Sequence, residues 1–210
     1  MLKVRIAVLV SGGGTNLQAL IDAQKQRKLR SGEIVLVLSN NANAYALTRA
    51  RENGIKTEVV VKTERDNEVF EREVIRVLKE NKIDFIVLAG FMSILSENFT
   101  SLYKNRIINI HPSLIPSFCG KGYYGIKVHE AALKYGVKVT GATVHFVNEI
   151  PDGGEIILQK SVPVKNGDTP EILQRRVMER AEWIILPRAC EKVCKDIQRE
   201  MKEEKEKENL

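Results

Sequence analysis

Strand-like and helix-like patterns take turns along this chain, and that alternation restricts the fold more than any other feature. The runs RIAVLV (5–10), IVLVLS (34–39), TEVVV (57–61), FIVLAG (85–90) and IINIH (107–111) are short, rich in Val and Ile, and almost continuously apolar. Runs of this kind read as strands covered on both faces, as in a parallel sheet. Amphipathic stretches lie between them. DNEVFEREVIRVLKEN (66–81) sets Val69, Phe70, Val74, Val77 and Leu78 along one helical face, with Asp66 as its N-cap. The alternation predicts an α/β fold: a Rossmann-like, mostly parallel twisted sheet with helices on both faces.

The order changes after residue 112. A loop rich in Pro and Gly runs to about residue 127, and a short helix carries VHEAALKYG. Then GVKVTGATVHFVN and EIILQKSVPV flank EIPDGG, which predicts an antiparallel C-terminal strand pair joined by a tight turn. Residues 169–198 read as helical. No repeat or linker divides the chain, so the expectation is one domain over 1–198 with a charged tail over 199–210. A length of 210 residues suits one large domain with a real core.

Glycines stand between the first strand and the first helix in VLVSGGGTNLQAL. Free backbone N–H groups at a helix start bind anions, and glycine lets a phosphate come close. Gly12, Gly13 and Gly14 would supply the backbone, with Thr15 and Asn16 adding side-chain donors. The dinucleotide fingerprint fails here, because Leu17 stands where its third glycine belongs. The second strand also ends in SNNAN, without an acidic residue for a ribose. No Gly-Lys-Ser/Thr follows either. The ligand implied is a phosphorylated small molecule.

Asn109 and His111 are two apart on the fifth strand, so they project to one side at its carboxyl end, where open α/β sheets bind ligands. Pro112 ends the strand. The expectation is a histidine presented to a cleft as an acid or base, beside an amide able to donate to a developing oxyanion. Asp152, on the EIPDGG turn, is the candidate carboxylate. His145 reads as a supporting residue and His129 as part of a helix start. Cys190 and Cys194 share a helix face without a nearby histidine and read as packing, so no metal is expected.

The segments VLVSGGGTNLQALIDA, VLAGFMSIL, NIHPSLIPSF, GATVHFV and DGGEIILQ, in this order over roughly the first 190 residues, resemble the folate-dependent glycinamide ribonucleotide formyltransferases of purine synthesis. The resemblance implies formyl transfer from 10-formyltetrahydrofolate to the amine of glycinamide ribonucleotide, without metal. It implies Asn109, His111 and Asp152 as the catalytic trio. His111 as imidazolium and the Asn109 amide would stabilise a tetrahedral intermediate, and Asp152 would keep the imidazole charged and shuttle protons. Gly14, Thr15 and Asn16 match phosphate and ribose contacts, and Pro112 and Glu182 match further substrate contacts. Met92, Ser93, Ile94 and Leu95 match the segment lining the folate pocket, beside Asn109 and Asp152. The arginine that meets the folate glutamate tail in many members falls at Asn67 here, leaving Arg65 or Arg72 as substitutes. Ser93 replaces another frequent arginine. The helix before Pro187 carries one residue more than the family form.

The related tRNA formyltransferases add a C-terminal barrel, for which residues 169–210 are too short and too helical. The related deformylases carry an extra N-terminal domain, whereas strand one begins here by residue 5. The net charge of +6 is dispersed, and aromatics are only 6%, so no nucleic-acid stripe forms. No apolar run approaches the ~20 residues of a membrane span. The apolar stretch in MLKVRIAVLVSGGG runs into glycines rather than a cleavage site. A cytoplasmic enzyme of small-molecule partners is expected, with a homodimer left open.

Overall fold

The computed structural model describes residues 3–62 and 67–208. Its strands are β1 (Val4–Val10), β2 (Gly32–Ser39), β3 (Lys56–Val59), β4 (Phe85–Leu88), β5 (Ile107–His111), β6 (Val139–Phe146) and β7 (Ile156–Pro163). The helices are α1 (Thr15–Lys25), α2 (Tyr45–Glu52), α3 (Asn67–Glu80), α4 (Glu97–Leu102), α5 (Ile126–Tyr135), α6 (Pro170–Val177) and α7 (Trp183–Glu208). A π-turn, Met178–Glu182, joins α6 to α7.

The strands form one seven-stranded sheet in the order β3-β2-β1-β4-β5-β6-β7. β1 to β5 pair in parallel, and β6 runs against both β5 and β7. The order reverses beside β1, which opens a crevice beyond the carboxyl ends of β1 and β4. Ser11 closes its floor: its N–H donates to the Gly90 carbonyl at 3.1 Å, and its hydroxyl accepts the Met92 N–H at 2.8 Å.

Alternation along β1 feeds two cores. Val4, Ile6, Val8 and Val10 face α1, α2 and the C-terminal helices, whereas Ala7 and Leu9 face α3 and α4. Phe85 and Phe99 are fully buried, one in each core, each contributing roughly 2–3 kcal/mol.

Several expectations need correction. β3 stops at Val59, and Val59 and Val61 are exposed, because β3 is the sheet edge and lacks a second neighbour. Val69 is exposed, while Glu71 is 6% exposed and faces inward. Glu71 has a reason to be inside: its carboxylate accepts the Ser96 N–H at 2.7 Å, the Ser96 hydroxyl, and the Asn67 amide at 3.0 Å. Ser96 in turn caps α4. Asp66 and Arg65 lie outside the described residues. The final helix continues to Glu208 rather than ending near 198; Met201 packs on the core, and Glu200 pairs with Arg106 at 2.6 Å. Among the described residues, no helix is long and apolar enough to cross a membrane.

Candidate active site

The Asp-Gly-Gly turn is built by backbone crowding. The Gly153 N–H donates to the Ile150 carbonyl at 2.9 Å. A Cβ on Gly154 would lie 1.8 Å from the Phe146 carbonyl oxygen, and one on Gly153 would lie 2.7 Å from Ile150 Cβ. Only glycines let the chain turn this tightly. The turn holds Asp152 at φ 58° and points its carboxylate back at the sheet.

There it meets two histidines. Oδ2 lies 3.5 Å from His111 Nδ1, and Oδ1 lies 3.5 Å from His145 Nε2. Oδ2 also accepts the Gly120 N–H at 2.8 Å. Asn109 and His145 are cross-strand partners on β5 and β6, and the Asn109 amide lies 3.2 Å from His145 Nε2. Asn109, His111 and Asp152 therefore converge, with His145 as a fourth member.

The Phe118 carbonyl fixes the tautomer of His111. His111 Nε2 lies 2.8 Å from that carbonyl, which only accepts, so Nε2 carries the hydrogen and Nδ1 faces Asp152. His145 Nδ1 lies 2.7 Å from the Phe146 carbonyl, and its Nε2 stands between the Asn109 amide and the Asp152 carboxylate. Burial lowers the His111 pKa below its ordinary value; Asp152 and the Phe118 carbonyl oppose this, and the His145 charge adds to it. For Asp152, burial alone would raise the carboxyl. The His145 hydrogen bond, the His111 charge and the Gly120 N–H outweigh it and hold the group below the usual carboxylate range.

One expectation about His111 changes. It is 4% exposed and stands behind Asp152 rather than in the open cleft. Burial there outweighs the neighbouring carboxylate and lowers its pKa, which works against an imidazolium.

Asn109 and Asp152 are the members that border both cavities at the site. They line a cavity of about 630 Å³ that extends to Asn16, Pro112 and Glu182. They also line a cavity of about 120 Å³ bounded by Leu95 and Val147. Both cavities share Phe91, Ser93 and Ile94. Met92 and Ile94 are largely exposed, Leu95 is buried, and Ser93 is held by the Asn40 amide at 2.9 Å. Asn67 is occupied by Glu71, and Arg72 is exposed.

Gly14 caps α1 at φ 73°, and a Cβ there would lie 2.6 Å from Ala46 Cβ, so this glycine serves packing as well as the turn. Gly12 and Gly13 are exposed, and a Cβ on either would meet nothing within 4 Å. They leave the start of α1 open to a ligand. Arg49, in the last turn of α2, donates through Nε to the Gly13 carbonyl at 2.9 Å and brings a cation to this loop. Thr15 faces Met178, its hydroxyl 3.9 Å from the sulfur, and borders a separate cavity of about 560 Å³ between α1 and α7.

Asn16 donates to Glu182 Oε2 at 2.6 Å. The π-turn accounts for that pairing: it absorbs one additional residue within a helix, so Glu182 still faces the cleft despite the longer helix. Burial pushes the Glu182 carboxyl up to about 7, against the pull of the Asn16 amide. Among the described residues, no group of three or more His, Cys, Asp or Glu side chains could hold a metal ion.

The formyl transferase family matches residues 4–190. The chain belongs to the formyl transferase family. This formyl transferase is 45% identical over 182 residues to the phosphoribosylglycinamide formyltransferase of Escherichia coli (strain K12), covering 86% of the chain and 83% of that protein. It is 47% identical over 192 residues to the human trifunctional purine biosynthetic protein adenosine-3. That match covers 91% of the chain but only 18% of the far longer human protein. The crystal structure of glycinamide ribonucleotide transformylase 1 from Symbiobacterium toebii superposes with a TM-score of 0.86 at 38% identity, covering 92% of this chain and 89% of that one.

The sequence reading gave His145 only a supporting role, and it missed Arg49 at the glycine loop and the Phe118 carbonyl that orients His111. His145 was accessible in principle, since an antiparallel β5–β6 register places it opposite Asn109. Backbone carbonyls and packing between α2 and the loop leave no such mark.

Proposed function

We propose that this formyl transferase moves the formyl group of 10-formyltetrahydrofolate to the amine of glycinamide ribonucleotide, a step of de novo purine synthesis in the cytoplasm. The observation that carries the reading is the position of Asn109 and Asp152 at the meeting of two cavities. One extends to the Asn16–Glu182 pair at the start of α1; the other lies against Ser93, Ile94 and Leu95. A group passed between two bound molecules must cross such a junction.

The phosphate is assigned to the N–H groups of Gly12, Gly13 and Gly14, with Thr15 and Asn16, and Arg49 adds positive charge nearby. Pro112 and Glu182 contact the sugar end of the acceptor. Met92, Ser93, Ile94 and Leu95 line the folate side. The acceptor amine attacks the formyl carbon, and charge develops on the formyl oxygen. The Asn109 amide, held beside His145 Nε2, donates an N–H to that oxygen. Asp152 takes the proton released by the amine, His111 Nδ1 holds it in transit behind Asp152, and Asp152 then returns it to the leaving folate nitrogen. Catalysis is assigned to the domain over residues 1–198, with the charged tail, 199–210, taking no part.

The test is an assay with purified protein, 10-formyltetrahydrofolate and glycinamide ribonucleotide. Formylated product at a rate dependent on both substrates is expected. Hydrolysis of the folate without transfer, or transfer only to a different acceptor, overturns the assignment.

A further inference from the structure

The acceptor side of the cleft contains a polar ring that the protein itself leaves unsatisfied. His129 is the fourth residue of α5 and is fully buried. It belongs to the wall of the 630 Å³ cavity, together with Gln174, Met178 and Glu182. Among the described residues, neither Nδ1 nor Nε2 finds a hydrogen-bond partner. The other two histidines differ: both nitrogens of each face a protein group. A buried donor and acceptor without partners destabilise the fold, so such groups are rare unless a ligand or water completes them.

The chemistry narrows what could complete this ring. Burial, with the His111 charge adding to it, drives the His129 pKa down to about 4. Near neutral pH the ring therefore offers one donor and one acceptor and no charge. A phosphate would favour a cation. A hydroxyl or a carboxamide matches the ring, because each both donates and accepts.

Resting on the formyl-transfer reading above, we propose that His129 is a further substrate-contacting residue, whose imidazole hydrogen-bonds a hydroxyl or carboxamide of the acceptor on the Glu182 side of the cleft. The contrary possibility is a histidine that only fills space.

His129→Phe separates the two, because it keeps a flat ring and removes both polar atoms. The expected result is a rise of about tenfold in KM for glycinamide ribonucleotide, the worth of one lost hydrogen bond. KM for 10-formyltetrahydrofolate should stay within about twofold, and Tm should hold or rise, since two unsatisfied groups leave the interior. His129→Gln should recover part of the loss. A His129→Phe enzyme with unchanged acceptor KM, or with both KM values raised alike, overturns the proposal.

Should that variant fail to fold, the wild-type protein still decides. With ¹⁵N-labelled histidine only three rings report. Glycinamide ribonucleotide should shift the His129 ring nitrogens, and 10-formyltetrahydrofolate alone should not. An unmoved His129 signal at saturating acceptor sinks the idea. Absence of formyl transfer by the wild-type enzyme would instead remove the functional reading on which it rests.

Discussion

Replacing Glu182 by Gln should stabilise the folded protein, and only above acid pH. The carboxyl is buried, and burial pushes its pKa up from an ordinary 4.5 to about 7. At 1.36 kcal/mol per unit this is a cost of about 3 kcal/mol for holding the ionised group in the fold. The sign follows from proton counting. Between pH 4.5 and about 7 the folded protein keeps a proton that the unfolded chain releases. Stability therefore falls as pH rises through that window and levels off above it. Glutamine has nothing to ionise, and its amide oxygen can still accept from Asn16. The two proteins should be nearly equal in stability at about pH 4, and the variant should lead by about 3 kcal/mol at about pH 8. Urea unfolding at a series of pH values measures the difference directly. A difference constant across the range would refute the buried, raised carboxyl. The same variant should bind glycinamide ribonucleotide more weakly at about pH 8, where the wild-type carboxyl is ionised, and less so at about pH 5, where it is not.

Asn109→Ala and Asp152→Asn should each lower kcat about a hundredfold or more while changing either KM by less than about tenfold, as expected for groups that act in the transition state; near-normal turnover in steady-state assays removes that residue from the mechanism. The His111 pKa lies below its ordinary 6.5 and the Asp152 pKa is also lowered, so the neutral imidazole and the carboxylate coexist at neutral pH. The pH profile of kcat should therefore be level near neutrality and fall as His111 becomes charged below 6.5, in a step that belongs to the coupled pair; a rate that rises on acidification would make the imidazolium the working form. Gly154→Ala should cost about 3 kcal/mol in denaturant unfolding and displace Asp152, because its Cβ would lie 1.8 Å from the Phe146 carbonyl oxygen; wild-type stability and activity together would contradict the crowding seen at that turn.

Much of the scaffold was written in periodicity. β1, β2, β4 and β5 are buried on both faces, so their Val and Ile runs are uninterrupted and easy to read. The reading failed where neighbours decide. TEVVV looks like a core strand, yet β3 is the sheet edge and its last valines meet solvent. Val69 fits a helical stripe, yet the inward place belongs to Glu71, whose partner Ser96 is 25 residues away. In the site, the types and spacing of Asn109, His111 and Asp152 were legible because chemistry requires them. The lowered pKa of His111 was not, because it depends on burial behind a turn. Likewise, one surplus residue before Pro187 is only a count in the sequence, and the π-turn is what keeps Glu182 facing Asn16.

Several costs in this structure lie around the cleft. Phe118 and Asp152 hold left-handed backbone conformations without being glycine. The helix is interrupted by a π-turn at Glu182, whose carboxyl is buried at a high pKa. His129 is buried with neither nitrogen bonded to a described group. Each lowers stability, and the two cores of the sheet offset them. Their shared location has one physical reason. Donors and carboxylates act more strongly on developing charge when water has already been excluded and their orientation is fixed beforehand. A softer site, with Asp152 on a relaxed turn and Glu182 at the surface, would be more stable and would have to reorganise during every turnover. The strained turn and the buried carboxyl are therefore better understood as preparation for chemistry than as imperfections of the fold.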